Sequence, residues 1–374
     1  MRDSFRRLRH NRGVLIGVAI AVAAGIWGCS VVDESATGPT AFSDDALGRI
    51  SPQLQSVMAV QEAHTKRLMA EPDVIGTATT LDAKGQPAVM LLVTSQKAAD
   101  AAPRTLDGVP VEIVLTDPIV AMKGPGGGGG GVSHTAKQTP PIQLGTSGGW
   151  RYDLANGYCC GGTLGSLIQV GGQKRILSNY HVFEADIVNG GNGRTAQTGD
   201  FIIQPGLIDV GCNANNSQNV ATLVKSSSLP GSNVDASSAT IISGMVSENG
   251  AILEVGTLSS STVGAFVNQA VKKSGRTTGL SRSKVNGLNA TVSVAYDNEC
   301  AGGTAFTKTF TGQILVSNRA GRFLSGGDSG SLMVEDVTTN PRAVGLLYAG
   351  SNTIAVANPI GQVLSFFGAT MVGN

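Results

Sequence analysis

The chain has 374 residues, enough for two domains and a sizeable core, with 51 glycines, 5% aromatic residues and a formal net charge of +1. Five arginines against Asp3 put four positive charges into the first 28 residues, which leaves the remainder near −3. That balance, with no basic stripe interleaved with aromatics, excludes an electrostatic grip on nucleic acid.

Residues 1–12 are arginine-rich, and Gly13 to Gly28 are uncharged and mostly apolar, the pattern of an export signal over 1–28. The apolar run is short for a spanning helix, which needs about twenty residues. It ends in Ile26-Trp27-Gly28-Cys29, which resembles a bacterial lipobox, so Cys29 is the expected lipid anchor. Ser30 is not the Asp that retains such lipoproteins at the inner membrane. The expected location is therefore the bacterial cell envelope or surface, or the medium if no anchor is attached. Residues 29–43 are rich in Ser, Thr, Gly and Pro and read as a tether.

Residues 44–123 read as a small α/β domain. Ser51-Pro52 supplies an N-cap followed by proline at N1, and Leu54, Val57, Met58 and Leu68 share one face of a helix that should end before Pro72. Strands are expected at Val74–Thr80, Ala88–Thr94 and Val109–Val114, with a turn at 82–85 and a short helix near 96–102. No catalytic constellation lies in this domain, and its position suggests a propeptide-like or substrate-presenting module, or a plain structural one. Residues 124–139 form a linker, a run of glycines broken by Pro125, flexible and open to proteolysis.

From 140 to 374 the sequence predicts short strands: Thr163–Val170, Lys174–Asn179, Asp200–Ile203, Ala221–Val224 and Ala239–Ile242, then Phe266–Val271, Lys284–Ala295, Phe310–Val316, Gly330–Val334, Ala343–Tyr348 and Ile354–Pro359, with a helix near Gly361–Phe367. Alternation alone allows any sandwich or barrel.

Three residues here carry chemistry. Ser329 lies in Ser325-Gly326-Gly327-Asp328-Ser329-Gly330-Ser331, where a tight turn can expose its hydroxyl and aim the N–H groups of Gly327 and Ser329 at one oxygen. His181 ends a strand-like run, and it is the only one of the four histidines in the folded second half; His134 lies beside the glycine linker. Asp235 opens a short apolar run and can orient the imidazole; the rival carboxylates are Asp186 and Asp209. The order His181, Asp235, Ser329 has gaps of 54 and 94 residues.

The segments ILSNYHVF, NVDASSATI and GGDSGS resemble the three triad motifs of the chymotrypsin/trypsin-like serine peptidases, in that family's order. CCGGTLGSLI, AVGLLYAGS and SGRTTG are similar to its first-barrel strand, its pocket strand and an early second-barrel turn. The resemblance covers roughly 145–370. It implies an all-β protease domain of two Greek-key six-stranded barrels behind the small α/β domain. It also implies a serine endopeptidase acting on protein or peptide substrates through His181, Asp235 and Ser329, with Gly327 and Ser329 as oxyanion donors. A catalytically silent binding module of the same fold is the alternative.

In that family the primary pocket is walled by two stretches, here Gly321-Arg322-Phe323-Leu324 and Leu347 through Ala357, so Phe323, Tyr348, Ala349 and Gly350 are the pocket candidates. Neither stretch contains Asp or Glu, which disfavours cleavage after Arg or Lys and favours a small or medium apolar residue. Arg322, Ser351 and Thr353 leave an acidic side chain open. Activated digestive members insert a new N-terminus beside the aspartate before the serine, here Asp328, but no matching start follows the linker. Of Cys29, Cys159, Cys160, Cys212 and Cys300, four remain if Cys29 is lipidated, compatible with two disulfides in any of three pairings. Adjacent cysteines without a nearby histidine give no zinc spacing, and no metal or cofactor is expected.

Overall fold

The computed structural model describes residues 51–122, 132–155, 158–184, 194–296 and 305–374. The export signal with Cys29, the tether, the first half of the glycine linker, Asp186 and Cys300 lie outside them. Helix α1 (Pro52–Leu68) begins where the sequence places it, with Ser51 Oγ accepting from Leu54 N at 3.2 Å. Strands β1 (Val74–Leu81) and β2 (Pro87–Val93) form an antiparallel hairpin. Helix α2 (Gln96–Ala101) then crosses over to β3 (Val109–Leu115), which is parallel to β2. A two-residue strand, β4 (Val120–Ala121), ends this part.

The first barrel uses β5 (Thr146–Trp150), β6 (Gly162–Leu164) running through Gly165 into β7 (Ser166–Val170), and β8 (Gln173–Ser178). The one-turn helix α3 (Tyr180–Phe183) follows, then β9 (Phe201–Gln204), β10 (Gln218–Val224) and β11 (Ser237–Ile241). Taking β6–β7 as one broken strand, the antiparallel pairings close a six-stranded barrel in the order first, second, third, sixth, fifth, fourth. The second barrel, β12 (Ala270–Gly275), β13 (Gly279–Tyr296), β14 (Phe306–Ser317), β15 (Leu332–Glu335), β16 (Ala343–Gly350) and β17 (Ile354–Pro359), closes in the same order. Helix α4 (Ile360–Phe367) returns the chain to the first barrel, where β18 (Ala369–Met371) pairs with β7. Two closed Greek-key barrels with one strand order are the chymotrypsin-like architecture.

Hydrophobic burial ties the parts together. Residues of the first barrel such as Trp150, Leu177 and Ile202 share a core with Leu332 and Leu346 of the second and with Ile360 of α4. The small α/β unit has no separate sheet. β1 pairs with the later half of β13, so its three strands extend the second barrel, and Leu54 and Met58 of α1 pack among Val285, Leu288 and Ile314. Cys159 and Cys212 form a disulfide across a separation of 53 residues, which picks one pairing that the sequence left open. The strand expected at Phe266–Val271 begins later, at Ala270, because Phe266 to Gln269 form a turn in which Gln269 N–H donates to Phe266 O.

Candidate active site

His181 and Asp235 come from the first barrel, in α3 just after β8 and at the entry to β11, and Ser329 comes from the loop before β15 of the second. The His181 and Asp235 side chains are 3% and 0% exposed, and His181 Nδ1 lies 2.5 Å from Asp235 Oδ2. A carboxylate partner puts the proton on Nδ1 and leaves the Nε2 lone pair free. Nε2 is buried and has no hydrogen-bond partner.

Asp235 is held from several sides. Tyr296 Oη donates to Oδ2 at 2.8 Å, Asp235 N–H donates to Asn358 Oδ1 at 2.9 Å, and Asn179 Nδ2 donates to its carbonyl at 2.7 Å. Asn358 Nδ2 in turn donates to Gln313 Oε1, which also accepts from Tyr348 Oη. Burial, and then the Asp235 charge, push both the Tyr296 and Tyr348 phenols well above their ordinary 10.0, so they stay donors. Tyr296, Asn358 and Gln313 escaped sequence reading because polar residues within strands carry no signal of which loop they meet. Asp209, the rival acid, is committed elsewhere: Arg276 Nε donates to its Oδ2 at 3.0 Å and Ser147 Oγ to the same oxygen at 2.5 Å.

The serine loop is shaped by close backbone contacts. Gly327 has φ +94°, and a Cβ there would fall 2.6 Å from Thr277 Oγ1. A Cβ at Gly162 would lie 2.6 Å from Val182 Cγ2 and 2.9 Å from Ser329 O, so one glycine separates the residue after His181 from the serine. Thr163 of β6 stitches the barrels: its N–H donates to Ser329 O and its Oγ1 to Gly327 O. Beneath the loop, Asp328 accepts from the N–H groups of Thr277 and Thr278, from Thr278 Oγ1 and from Ser325 N–H, all within the turn region that the SGRTTG motif marks or the serine loop itself.

Ser329 is 0% exposed, and its Oγ donates to Tyr348 O at 3.0 Å. The covering segment is β4 with Met122. Val120 and Ala121 pair antiparallel with Gly350 and Ala349, Met122 N–H donates to Tyr348 O at 3.1 Å, and Gly327 N–H donates to Met122 O at 2.7 Å. The Met122 side chain packs against the cluster that holds Phe323 and Leu324, and a Cβ on Gly350 would lie 3.1 Å from its Cε.

Of the expected pocket residues, Phe323, Ala349 and Gly350 border Met122 or its strand. Tyr348 contributes its carbonyl, while its ring stacks toward Phe310 at 5.0 Å inside the barrel. Ser351 and Thr353 bond to Thr116 Oγ1, and Arg322 is exposed. His134 lies buried against Glu254 Oε2 at 2.6 Å, away from these groups. Among the described residues, no three His, Cys, Asp or Glu side chains converge as a metal site would require, and no helix is long and apolar enough to cross a membrane.

A family model described as the Nal1 C-terminal domain matches residues 213–357, less than half of the chain. No curated protein matches. Solved structures similar to this chain include Thermobifida fusca protease A, at 22% identity and TM-score 0.41 over 62% of this chain and 99% of that one. A glutamic acid-specific serine protease matches at 18% identity and TM-score 0.39, over 62% of this chain and all of its own. Cellulomonas bogoriensis chymotrypsin matches at 20% identity and TM-score 0.38, over 62% of this chain and 99% of that one.

Proposed function

We propose that the protein is a serine endopeptidase that hydrolyses peptide bonds through a covalent acyl-enzyme. The observation that carries this reading is the buried His181–Asp235 contact, which leaves Nε2 as an unpartnered base beside the serine loop. For reaction, Ser329 Oγ must leave the Tyr348 carbonyl to which it donates and turn to Nε2. His181 then removes the hydroxyl proton as Oγ attacks the substrate carbonyl, and Asp235 stabilises the imidazolium. Negative charge on the carbonyl oxygen meets the N–H groups of Gly327 and Ser329. His181 passes the proton to the leaving amine, and water releases the acyl group. Substrates are proteins or peptides with a small or medium apolar residue before the scissile bond. Export, with Cys29 as lipid anchor, and the division at 44–123 and 140–374 belong to the same proposal.

A silent binding module of the same fold is favoured by one observation, the Ser329 hydroxyl donating to Tyr348 O and not to His181. A fluorophosphonate probe separates the two, since only an activated serine reacts. Labelling mapped by mass spectrometry to Ser329, and lost in Ser329→Ala and His181→Ala, is the expected result. A folded protein that stays unlabelled, even with the covering segment loosened, would leave the binding module.

A further inference from the structure

We infer that Val120-Ala121-Met122 is the chain's own substrate segment, and that the protein cuts itself after Met122. The inference rests on the peptidase reading above and adds a specific bond to it. A strand that merely covered the cleft would need only shape complementarity. This one gives its last N–H to Tyr348 O and its last carbonyl oxygen to Gly327 N–H, one of the two proposed oxyanion donors.

Val120 and Ala121 run antiparallel to Gly350 and Ala349, which gives the segment one direction and one register. Ala295 N–H donates to Ile119 O at 2.9 Å on the opposite edge, so the segment is gripped from both sides. The Met122 N–H is used by Tyr348 O and its carbonyl oxygen by Gly327 N–H, so the Met122 carbonyl is held against the serine loop. The thioether side chain fills the space between Gly350 and the Phe323 cluster, a flexible apolar chain in an apolar slot. Ser329 already donates to Tyr348 O, the same carbonyl that holds the Met122 N–H, which keeps its Oγ next to Met122.

The step balances without any co-reactant but water. Ser329 Oγ bonds to the Met122 carbonyl carbon, and its proton goes to His181 Nε2. The C–N bond to the next residue, Lys123 in the sequence, breaks as His181 returns that proton to the amine. Water then cleaves the ester and leaves a carboxylate on Met122. The amino-terminal piece stays bound after the cut, because β1 remains paired with β13 and Leu54 and Met58 remain in the second barrel's core.

The test uses residues 30–374 as wild type, Ser329→Ala and Met122→Asp, with Met122→Pro as a second variant that removes the N–H given to Tyr348 O. Wild type is expected to run as two pieces on a denaturing gel and as one species in gel filtration, the larger piece starting at Lys123. Ser329→Ala stays intact, including after mixing with wild type. The Met122 variants also stay intact, because aspartate would be unpaired among apolar groups and proline lacks the donor. Freed of the segment, their Ser329 should react with fluorophosphonate at least about tenfold faster than that of Ser329-competent chains carrying Met122, an on-rate gain in line with relief of a blocked site. Uncut wild type with labelled Met122 variants, a cut at another bond, or cutting of Ser329→Ala by added wild type would each overturn the inference and leave the peptidase reading standing. Absence of labelling in every folded variant would instead remove that reading.

Discussion

Lys273 Nζ lies 3.2 Å from Asp328 Oδ1, and both side chains are fully buried directly beneath the serine loop. The aspartate before the serine thus has a cation supplied from β12, within the fold, where the sequence offered no new N-terminus to insert. Burial lowers the Lys273 pKa, while Asp328 opposes that shift. With its four further donors, Asp328 fixes the loop that carries Gly327 and Ser329. Lys273→Met should leave a buried carboxylate without its cation and cost about 3–5 kcal/mol, the range for breaking one side of such a pair. Urea denaturation measures it, and a change below about 1 kcal/mol would show that the hydrogen bonds alone suffice.

Asp235→Asn preserves shape but replaces an acceptor of three hydrogen bonds with a group that also donates. The imidazole should flip to the wrong tautomer, and kcat/KM should fall about 10⁴-fold with the fold intact. Circular dichroism checks the fold and peptide hydrolysis the rate. Asp209→Asn should act differently, lowering stability through Arg276 with little direct effect on chemistry. If the two variants exchanged phenotypes, the acid would be Asp209.

Removing residues 30–139 should do more than release a module. It bares the edge of β13 that pairs with β1 and the apolar floor beneath Leu54 and Met58. Edge strands and apolar patches of this kind invite association. A chain beginning at Pro140 is expected to aggregate or to melt well below the longer chain, which light scattering and thermal unfolding would report. Equal solubility and equal melting would mean that the second barrel needs no covering.

The parts of this protein visible in its sequence are those set by local chemistry. Ser51-Pro52 starts α1, apolar runs between glycine turns give the strands, and the glycines around Ser329 mark its loop. Asp235 was preferred to Asp209 on its flanking residues; in the structure Asp235 lies against His181 and Asp209 against Arg276. Long-range pairing was not visible. Nothing in Val74–Leu81 says that it joins Val292 and Thr291, more than two hundred residues on. Nor does Val120-Ala121-Met122, three ordinary residues before a glycine run, announce that its partners are Tyr348, Ala349 and Gly327. Tyr348 shows the same limit within a residue: the sequence names it as a pocket candidate but does not say that its carbonyl meets Met122 and Ser329 while its ring lies against Phe310.

The buried phenols give a pH dependence with a definite sign. In the unfolded chain Tyr296 and Tyr348 lose protons near 10.0, whereas the folded protein holds them to higher pH. The folded state then binds more protons, so their contribution is complete below 10 and is lost as pH rises above it. Lys273 acts oppositely, since its lowered pKa makes the unfolded state bind the extra proton below 10.5. Above about pH 10.5 the tyrosines alone remain, and stability should fall by up to about 1.4 kcal/mol per pH unit for each. Urea midpoints between pH 9 and 11.5 would show a steeper decline for wild type than for Tyr296→Phe. Parallel curves would mean that Tyr296 titrates normally.

The pocket makes the last prediction. On the reading proposed above, the slot around Met122, with Phe323 and Leu324 alongside and Gly350 against its terminal methyl, is that pocket. No Asp or Glu lies in 321–324 or 347–357. A lysine or arginine placed there would lose its hydration without gaining a carboxylate, and a buried unpaired charge costs several kcal/mol. A glutamate would be no better served, because Ser351 and Thr353 bond to Thr116 and Arg322 faces outward. A slot that accepts the methionine side chain should favour unbranched or γ-branched apolar residues of similar size. A peptide library varied at the residue before the scissile bond, read with the Met122→Pro variant so that the cleft is open, should give methionine and leucine first. It should give kcat/KM at least about a hundredfold lower for lysine and arginine, since 2.7 kcal/mol of lost binding is two powers of ten. Preferred cleavage after a basic residue would mean that the pocket holding Met122 is not the one that reads substrates.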